Sequence, residues 1–433
     1  DNEIDKIARK VDNRIKSQYR FQGYQEFSNK LIRLKTRLKT RPGAYEKRIK
    51  EFFSNSVLII DEAHNIKDTN KEKLIPKILE EVLDNADELK LILLTATPMF
   101  NEPSEIIFLL NLLRRNDKQE LIESKQVFNP DGSLTERGEN ILIEKSRGFV
   151  SYLRGENPLA FPLRLEPNSS DTTLITEFPT RDYKDQPLDE SEIITKENLD
   201  IIPCVMAQES PQRELYDKIA ETGFGPFENI GVSVSNIVFP KKDSSEDYQK
   251  QMSNDGFNNN FKKSVVGGKV KIVPKSQEAE DMLKITEIGK YATKMREILK
   301  QVSEKETEGI IFIYSRFVWS GVVMLGLLLE MEGFQNVNGN LLGKNIGQKA
   351  KRENYMIISG EQELSRNNYI NYIKNEANNM KGEKVKIILG SESASEGLDF
   401  KYIREVHILD PWHHLNKIEQ IVGRGIRYCS HID

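Results

Sequence analysis

Val57-Leu58-Ile59-Ile60-Asp61-Glu62-Ala63-His64 runs four apolar residues straight into two carboxylates and a histidine. A continuous apolar run of this length predicts a strand buried on both faces, as in a parallel sheet. Its abrupt polar end predicts a loop at the carboxyl edge, where open α/β sheets place their functional groups. Leu91-Ile92-Leu93-Leu94 repeats the pattern and ends in Thr95-Ala96-Thr97-Pro98. Further along come Ile310–Ile313 into Tyr314-Ser315, Met356–Ile358 into Ser359-Gly360, Ile387–Leu389 into Gly390, and Val406–Leu409 into Asp410. Helical stretches at Trp319–Met331 and Leu364–Ala377 alternate with these strands, so the class is α/β with parallel sheets.

The runs form two groups, and the residues between them differ in composition. Stretches 166–200 and 240–280 are rich in Ser, Asp, Asn and Lys, with Pro and Gly interspersed. Three parts are therefore expected: an N-terminal lobe at 1–115, a mostly helical or irregular insertion with flexible loops at 116–285, and a C-terminal lobe at 286–433.

The whole chain of 433 residues has a formal charge of −4, 38% hydrophobic and 30% charged residues. No global positive field results, although a local basic groove suffices to hold a polyanion. Two cysteines cannot build a disulfide framework and suit a reducing compartment. No apolar run approaches the ~20 residues needed to span a bilayer, so no membrane partner is expected.

Asp61 and Glu62 are the residue types that nucleotide hydrolysis requires, one to hold Mg²⁺ through water and one to orient or deprotonate the attacking water. An acidic turn without chemistry would use the same letters. The hydroxyls of Thr95 and Thr97 suit a coupling role beside those carboxylates. Gln420, Arg424 and Arg427 lie at i, i+4 and i+7, so a helix would place two arginines on one face, able to reach triphosphate oxygens. A solvated basic face is the alternative, against which Gly423 and Gly425 argue. Small residues around Ser393–Phe400 permit close approach to phosphate or ribose, with Gly397 and Asp399 as nucleotide-binding candidates.

Taken in order, these stretches resemble the superfamily 2 DExH helicase-like ATPases. Asp61–His64 matches motif II, Thr95–Thr97 motif III, Tyr314-Ser315-Arg316 motif IV, Ser395–Asp399 motif V and Gln420–Arg427 motif VI. Two segments narrow the likeness, Gly148–Pro158 and His407-Ile408-Leu409-Asp410-Pro411-Trp412. They resemble the ATPases of large cytoplasmic DNA viruses, of the early transcription factor small subunit and nucleoside triphosphate phosphohydrolase I type.

The resemblance implies two RecA-like lobes, ATP and Mg²⁺ as cofactors, and catalytic roles for Asp61, Glu62, His64, Gln420, Arg424 and Arg427. It implies double-stranded DNA and RNA polymerase or other transcription factor subunits as partners, in a cytoplasmic viral factory or the virion. Tyr24, Ser315, Arg316, Ser359 and Gly360 become candidates for nucleic-acid contact. A replicative or repair helicase, or a scaffold that keeps the fold without catalysis, are the rival readings. The family also carries a Gly-x-x-x-x-Gly-Lys-Ser/Thr phosphate loop before the acidic motif. No such element occurs in the sequence. The expectation is that it precedes Asp1 and that these 433 residues alone do not turn over ATP.

Overall fold

The computed structural model describes residues 2–66, 74–96, 98–99, 103–152, 162, 164–165, 174–175, 177–181, 186–188, 200–222, 229–241, 248–304, 308–343, 352–361, 363–365, 379–392, 400–411 and 415–426. The chain divides into two compact units, residues 1–154 and 155–433.

In the first unit, strands β1 (Val57–Ile60) and β2 (Lys90–Leu93) pair in parallel, Ile60 opposite Leu93. Helices α1 (Asn2–Gln18), α2 (Tyr24–Leu38) and α3 (Ala44–Phe53) precede them, and α4 (Leu74–Asn85) and α5 (Glu105–Asn116) follow β1 and β2 in turn. Leu31 and Leu34 of α2, Ile49 of α3, Leu79 and Val82 of α4 and Leu112 of α5 bury together with Ile60. Leu58, Leu91 and Leu93 pack against this cluster, whereas Val57 and Ile59 remain 55% and 51% exposed. Alternate strand residues face opposite sides of a sheet. The expectation of burial on both faces is thus corrected for β1 and β2: among the described residues, the packing helices cover one face only.

In the second unit the inner strands meet that expectation. Its parallel sheet comprises β5 (Ile310–Tyr314), β6 (Gln335–Asn336), β7 (Asn354–Ile358), β8 (Ile387–Gly390) and β9 (Ile403–Ile408) in the order β6-β7-β8-β5-β9. Strands β5, β7 and β8 are buried on both faces, whereas Val406 and Ile408 of the edge strand β9 are only half-buried. Ile311, Ile313, Tyr355, Ile357, Ile387 and Leu389 enter one core with residues of helices Thr293–Glu304 and Met324–Met331. Ile310, Phe312, Tyr314, Met356, Ile358 and Ile388 enter a second core with Phe400 and Ile421. Period-two alternation in continuous apolar runs fills both layers. An antiparallel hairpin, β3 (Phe261–Val266) and β4 (Lys269–Pro274), adds Phe261, Val270 and Ile272 to the first of these cores. The predicted helix at Trp319–Met331 is realised as a π-helical turn, Val318–Val323, running into Met324–Met331. That at Leu364–Ala377 lies largely outside the described residues. No helix among the described residues is long and apolar enough to cross a membrane.

One carboxylate sits inside this core. Glu330 is 1% exposed and accepts from the Leu341 and Leu342 amides at 2.6 and 2.8 Å and from the Tyr355 hydroxyl at 2.8 Å. Burial pushes its pKa up to about 7, against the pull of those three donors and of Lys271. Between the unfolded value of 4.5 and the folded one, the native state holds a proton that the unfolded chain has released. Stability therefore falls as pH rises through this window, by on the order of 3 kcal/mol in total. Thermal melts between pH 5 and 8 should show that decline in the wild type and a flatter profile in Glu330→Gln.

Candidate nucleotide and nucleic-acid site

Both units display their polar groups at the carboxyl ends of parallel strands, but in opposite ways. In the first unit Asp61 and Glu62 leave β1 as it turns into a short 3₁₀ turn, Ala63–Ile66. Glu62 sits at φ 51°, a left-handed backbone uncommon for a residue with a side chain. Asp61 holds that turn through its own carboxylate, which accepts from the Glu62 amide at 3.1 Å. Tyr24, at the start of α2, donates its hydroxyl to the Asp61 carbonyl and lies 3.2 Å from the Glu62 carbonyl. Burial and the two nearby carboxylates push the Tyr24 pKa up to about 12, so the phenol stays a donor. The Ala63 amide bonds the Leu94 carbonyl at 2.9 Å, tying the acidic turn to the end of β2. Beside it His64 Nδ1 meets Thr95 Oγ1 at 2.9 Å and lies 3.6 Å from Glu62 Oε2. Acidic turn and threonine turn are thus physically joined.

Asp61 is exposed, and among the described residues no basic side chain pairs with it. An exposed, acceptor-only oxygen group without a cationic partner fits a hard divalent ion such as Mg²⁺. Thr97 lies outside the described residues.

In the second unit the corresponding edge is buried around Asp410, which follows β9. Asp410 is 1% exposed. Its Oδ1 accepts from Ser315 Oγ at 2.5 Å and Asn236 Nδ2 at 3.2 Å; its Oδ2 accepts from the Arg316 amide at 2.9 Å, with Arg316 Nε at 3.8 Å. Burial raises the Asp410 pKa, opposed by Ser315, the Arg316 amide, Lys294 and the Arg316 charge. Lys294 bonds the Leu409 carbonyl at 3.1 Å and Ser235 Oγ at 3.2 Å, and burial pushes its pKa down to about 8. The network fixes the loop after β5 to the loop after β9. It also needs Gly321: a β-carbon there would meet Ser315 Oγ at 2.1 Å.

Ser315, expected at a nucleic-acid surface, therefore has no exposed surface and serves Asp410. The Tyr24 hydroxyl is likewise engaged by the acidic turn. Ser359 is 8% exposed, its hydroxyl accepting from the Glu361 amide at 3.3 Å, while Gly360 is exposed. Gly397, Asp399 and Arg427 lie outside the described residues. The helix expected to carry Gln420, Arg424 and Arg427 on one face ends at Val422. The Arg424 and Gly425 amides bond back three residues, to Ile421 and Val422. Gly423 and Gly425 offer little to hold a helix together, and the chain tightens into a turn. Arg424 is 7% exposed and Gln420 half-buried. Asn236 and Lys294 had no signal in the sequence: one ends a short polar helix, the other is a lysine on an amphipathic one.

Comparison with known proteins agrees with this double-edged architecture. Residues 24–150 match the SNF2-related domain and residues 339–429 the helicase conserved C-terminal domain. The chain thus carries an SNF2-related domain and a helicase C-terminal domain, consistent with the superfamily 2 resemblance. This helicase-like chain is 27% identical over 448 residues to a protein of Acanthamoeba polyphaga mimivirus named as an ATP-dependent RNA helicase, covering 100% of this chain and 64% of the relative. It is 28% identical over 432 residues to a protein named as a helicase in Invertebrate iridescent virus 3, covering 98% of this chain and 37% of the relative. A termination factor NPH-I homolog of African swine fever virus is 23% identical over 424 residues, covering 87% of this chain and 53% of the relative. The chain thus spans between 37% and 64% of the length of these relatives.

Asp410→Ala should destabilise the second unit by about 3–5 kcal/mol, the usual cost of stranding buried partners of a deleted charge. Denaturant unfolding with a probe in that unit measures it. A loss below about 1 kcal/mol would show that the buried carboxylate does not hold the two loops together.

Proposed function

We propose that this chain is the motor part of an ATP-driven, DNA-dependent translocase or helicase-like ATPase acting in a viral transcription apparatus. The observation that carries the reading is the open acidic turn: Asp61 and Glu62 at the end of β1, held by Tyr24 and linked through His64 to Thr95. Such a turn supplies a ligand for a divalent ion and a base for water, which is what phosphoanhydride hydrolysis asks of a protein. Bound Mg²⁺ would neutralise charge on the triphosphate; Asp61 would hold it through water. Glu62, with His64 at its carboxylate, would orient and deprotonate the attacking water. Thr95 and Thr97 would report the state of that turn to the rest of the motor. Gln420, Arg424 and Arg427 are our candidates for nucleotide recognition, with Gly397 and Asp399.

The transcriptional part of the proposal is supported by the termination factor homologs among the relatives and by the segment His407–Trp412. Double-stranded DNA is the proposed track, although some relatives are named for RNA. RNA polymerase is the proposed partner; polymerase purified from infected cells should carry the protein, and its complete absence there contradicts this part.

Glu62→Gln removes the base and leaves the fold and Asp61 in place. In the full-length protein it should lower ATP turnover by about 10²–10⁴-fold, the usual worth of a positioned base, with nucleotide binding retained. Turnover within a few-fold of wild type would remove Glu62 from its proposed role.

A further inference from the structure

The hairpin β3–β4 carries lysines and no carboxylate along both of its strands. Residues 261–275 contain Lys262, Lys263, Lys269, Lys271 and Lys275 and no acidic residue, in a chain whose formal charge is −4. Its register separates those lysines into two sets. Lys263 shares a face with Phe261, Val270 and Ile272, which are buried in the core. Its ammonium lies 3.7 Å from the Trp319 ring centroid and 5.8 Å from that of Phe257. Lys262, Lys269 and Lys271 fall on the opposite face, with Ser264, Val266 and Val273. Lys262 and Lys269 are exposed, and neither has an ion pair among the described residues. Lys271 donates to the Asn340 carbonyl. Cross-strand register places these three at two-residue steps, roughly 7 Å apart along the strand direction.

The hairpin is also firmly seated. A two-residue turn at Gly267 and Gly268, both with positive φ, closes it. The Ile272 amide and carbonyl bond the Leu341 carbonyl at 2.7 Å and the Gly343 amide at 2.9 Å. Trp319, on which Lys263 rests, lies four residues beyond Ser315, in the π-helical turn Val318–Val323 that follows β5. Lys263 further feels the charges of Glu361 and Glu363, just after the end of β7. The hairpin therefore rises from the same carboxyl edge that carries Ser315, Arg316 and Gly360.

We propose that the solvent face of β3–β4 is a nucleic-acid contact, in which Lys262 and Lys269 hold backbone phosphates. A row of ammonium groups without interleaved carboxylates matches a polyanion, whereas a single acidic side chain would need only one of them. The proposal rests on the motor reading above and adds to it a site outside the helicase motifs. Phosphate contacts of this kind are sequence-independent and salt-sensitive, so the face grips without reading bases.

The test compares full-length wild type with the double variants Lys262→Glu/Lys269→Glu and Lys262→Arg/Lys269→Arg. Fluorescence anisotropy with a labelled 30-base-pair DNA, across a salt series, gives affinity and salt slope. The glutamate variant should bind at least ~10-fold more weakly at moderate salt, and its slope should fall by about 2, close to 0.9 per lost phosphate contact. The arginine variant should keep wild-type values. Wild-type affinity and slope in the glutamate variant would overturn the hairpin proposal and leave the motor reading standing. Equal losses in both variants would overturn it too, since charge would not be the cause. Absence of salt-dependent DNA binding by the wild type would overturn the motor reading, and the hairpin proposal with it. Retained DNA binding together with lost capture of a polyglutamate chain would assign the face to an acidic protein and contradict the proposal.

Discussion

A buried carboxylate has to be satisfied by the protein itself, and Asp410 imposes that demand on residues far apart in the second unit. Its oxygens draw in Ser315 and the Arg316 amide from the end of β5 and Asn236 from a distant helix. Lys294 balances charge from a further helix, and Gly321 exists where Ser315 leaves no room for a β-carbon. β5 and β9 are hydrogen-bonded neighbours, so the network locks the loops of adjacent strands to one another at the sheet's carboxyl edge. Among the described residues, nothing in the first unit repeats it. There the carboxylates stay open, and the polar contacts serve to hold their backbone rather than to neutralise them.

The two edges therefore differ in kind: the buried one ties two loops together through Asp410, and the open one leaves carboxylate oxygens accessible to solvent. The His64–Thr95 contact and the Ala63–Leu94 hydrogen bond make the acidic turn one piece with the threonine turn. His64 stands between the Glu62 carboxylate and the Thr95 hydroxyl.

Much of this was legible in the sequence for a simple reason: strands buried on both faces are written as unbroken apolar runs, and their ends are written as the first polar residue. Ile310–Ile313 and Ile387–Leu389 show this directly, and Asp61, Thr95, Ser315 and Asp410 fall at such ends. Val57 and Ile59 read identically yet face outward, because an apolar run does not say whether a covering layer is present. Partners from afar were also invisible. Asn236 and Lys294 meet Asp410 only through tertiary packing, and no local pattern distinguishes them from surface residues. The regular spacing of Gln420, Arg424 and Arg427 suggested a continuous helix, but two glycines end it sooner. Residues 261–274 read as part of a loop-rich, irregular insertion, and their hairpin with one buried and one open face emerges only from the strand register.

The claim on which the account turns is that the open acidic edge drives a nucleic-acid-dependent motor. The most direct measurement is the ATP hydrolysis rate of the full-length wild-type protein in Mg²⁺, without nucleic acid and with saturating duplex DNA or RNA. The account predicts slow turnover alone and stimulation of at least ~10-fold by duplex DNA, greater than by RNA, consistent with a motor that assembles its productive geometry on its track. Hydrolysis that is absent under every condition, or fast and indifferent to nucleic acid, would contradict it.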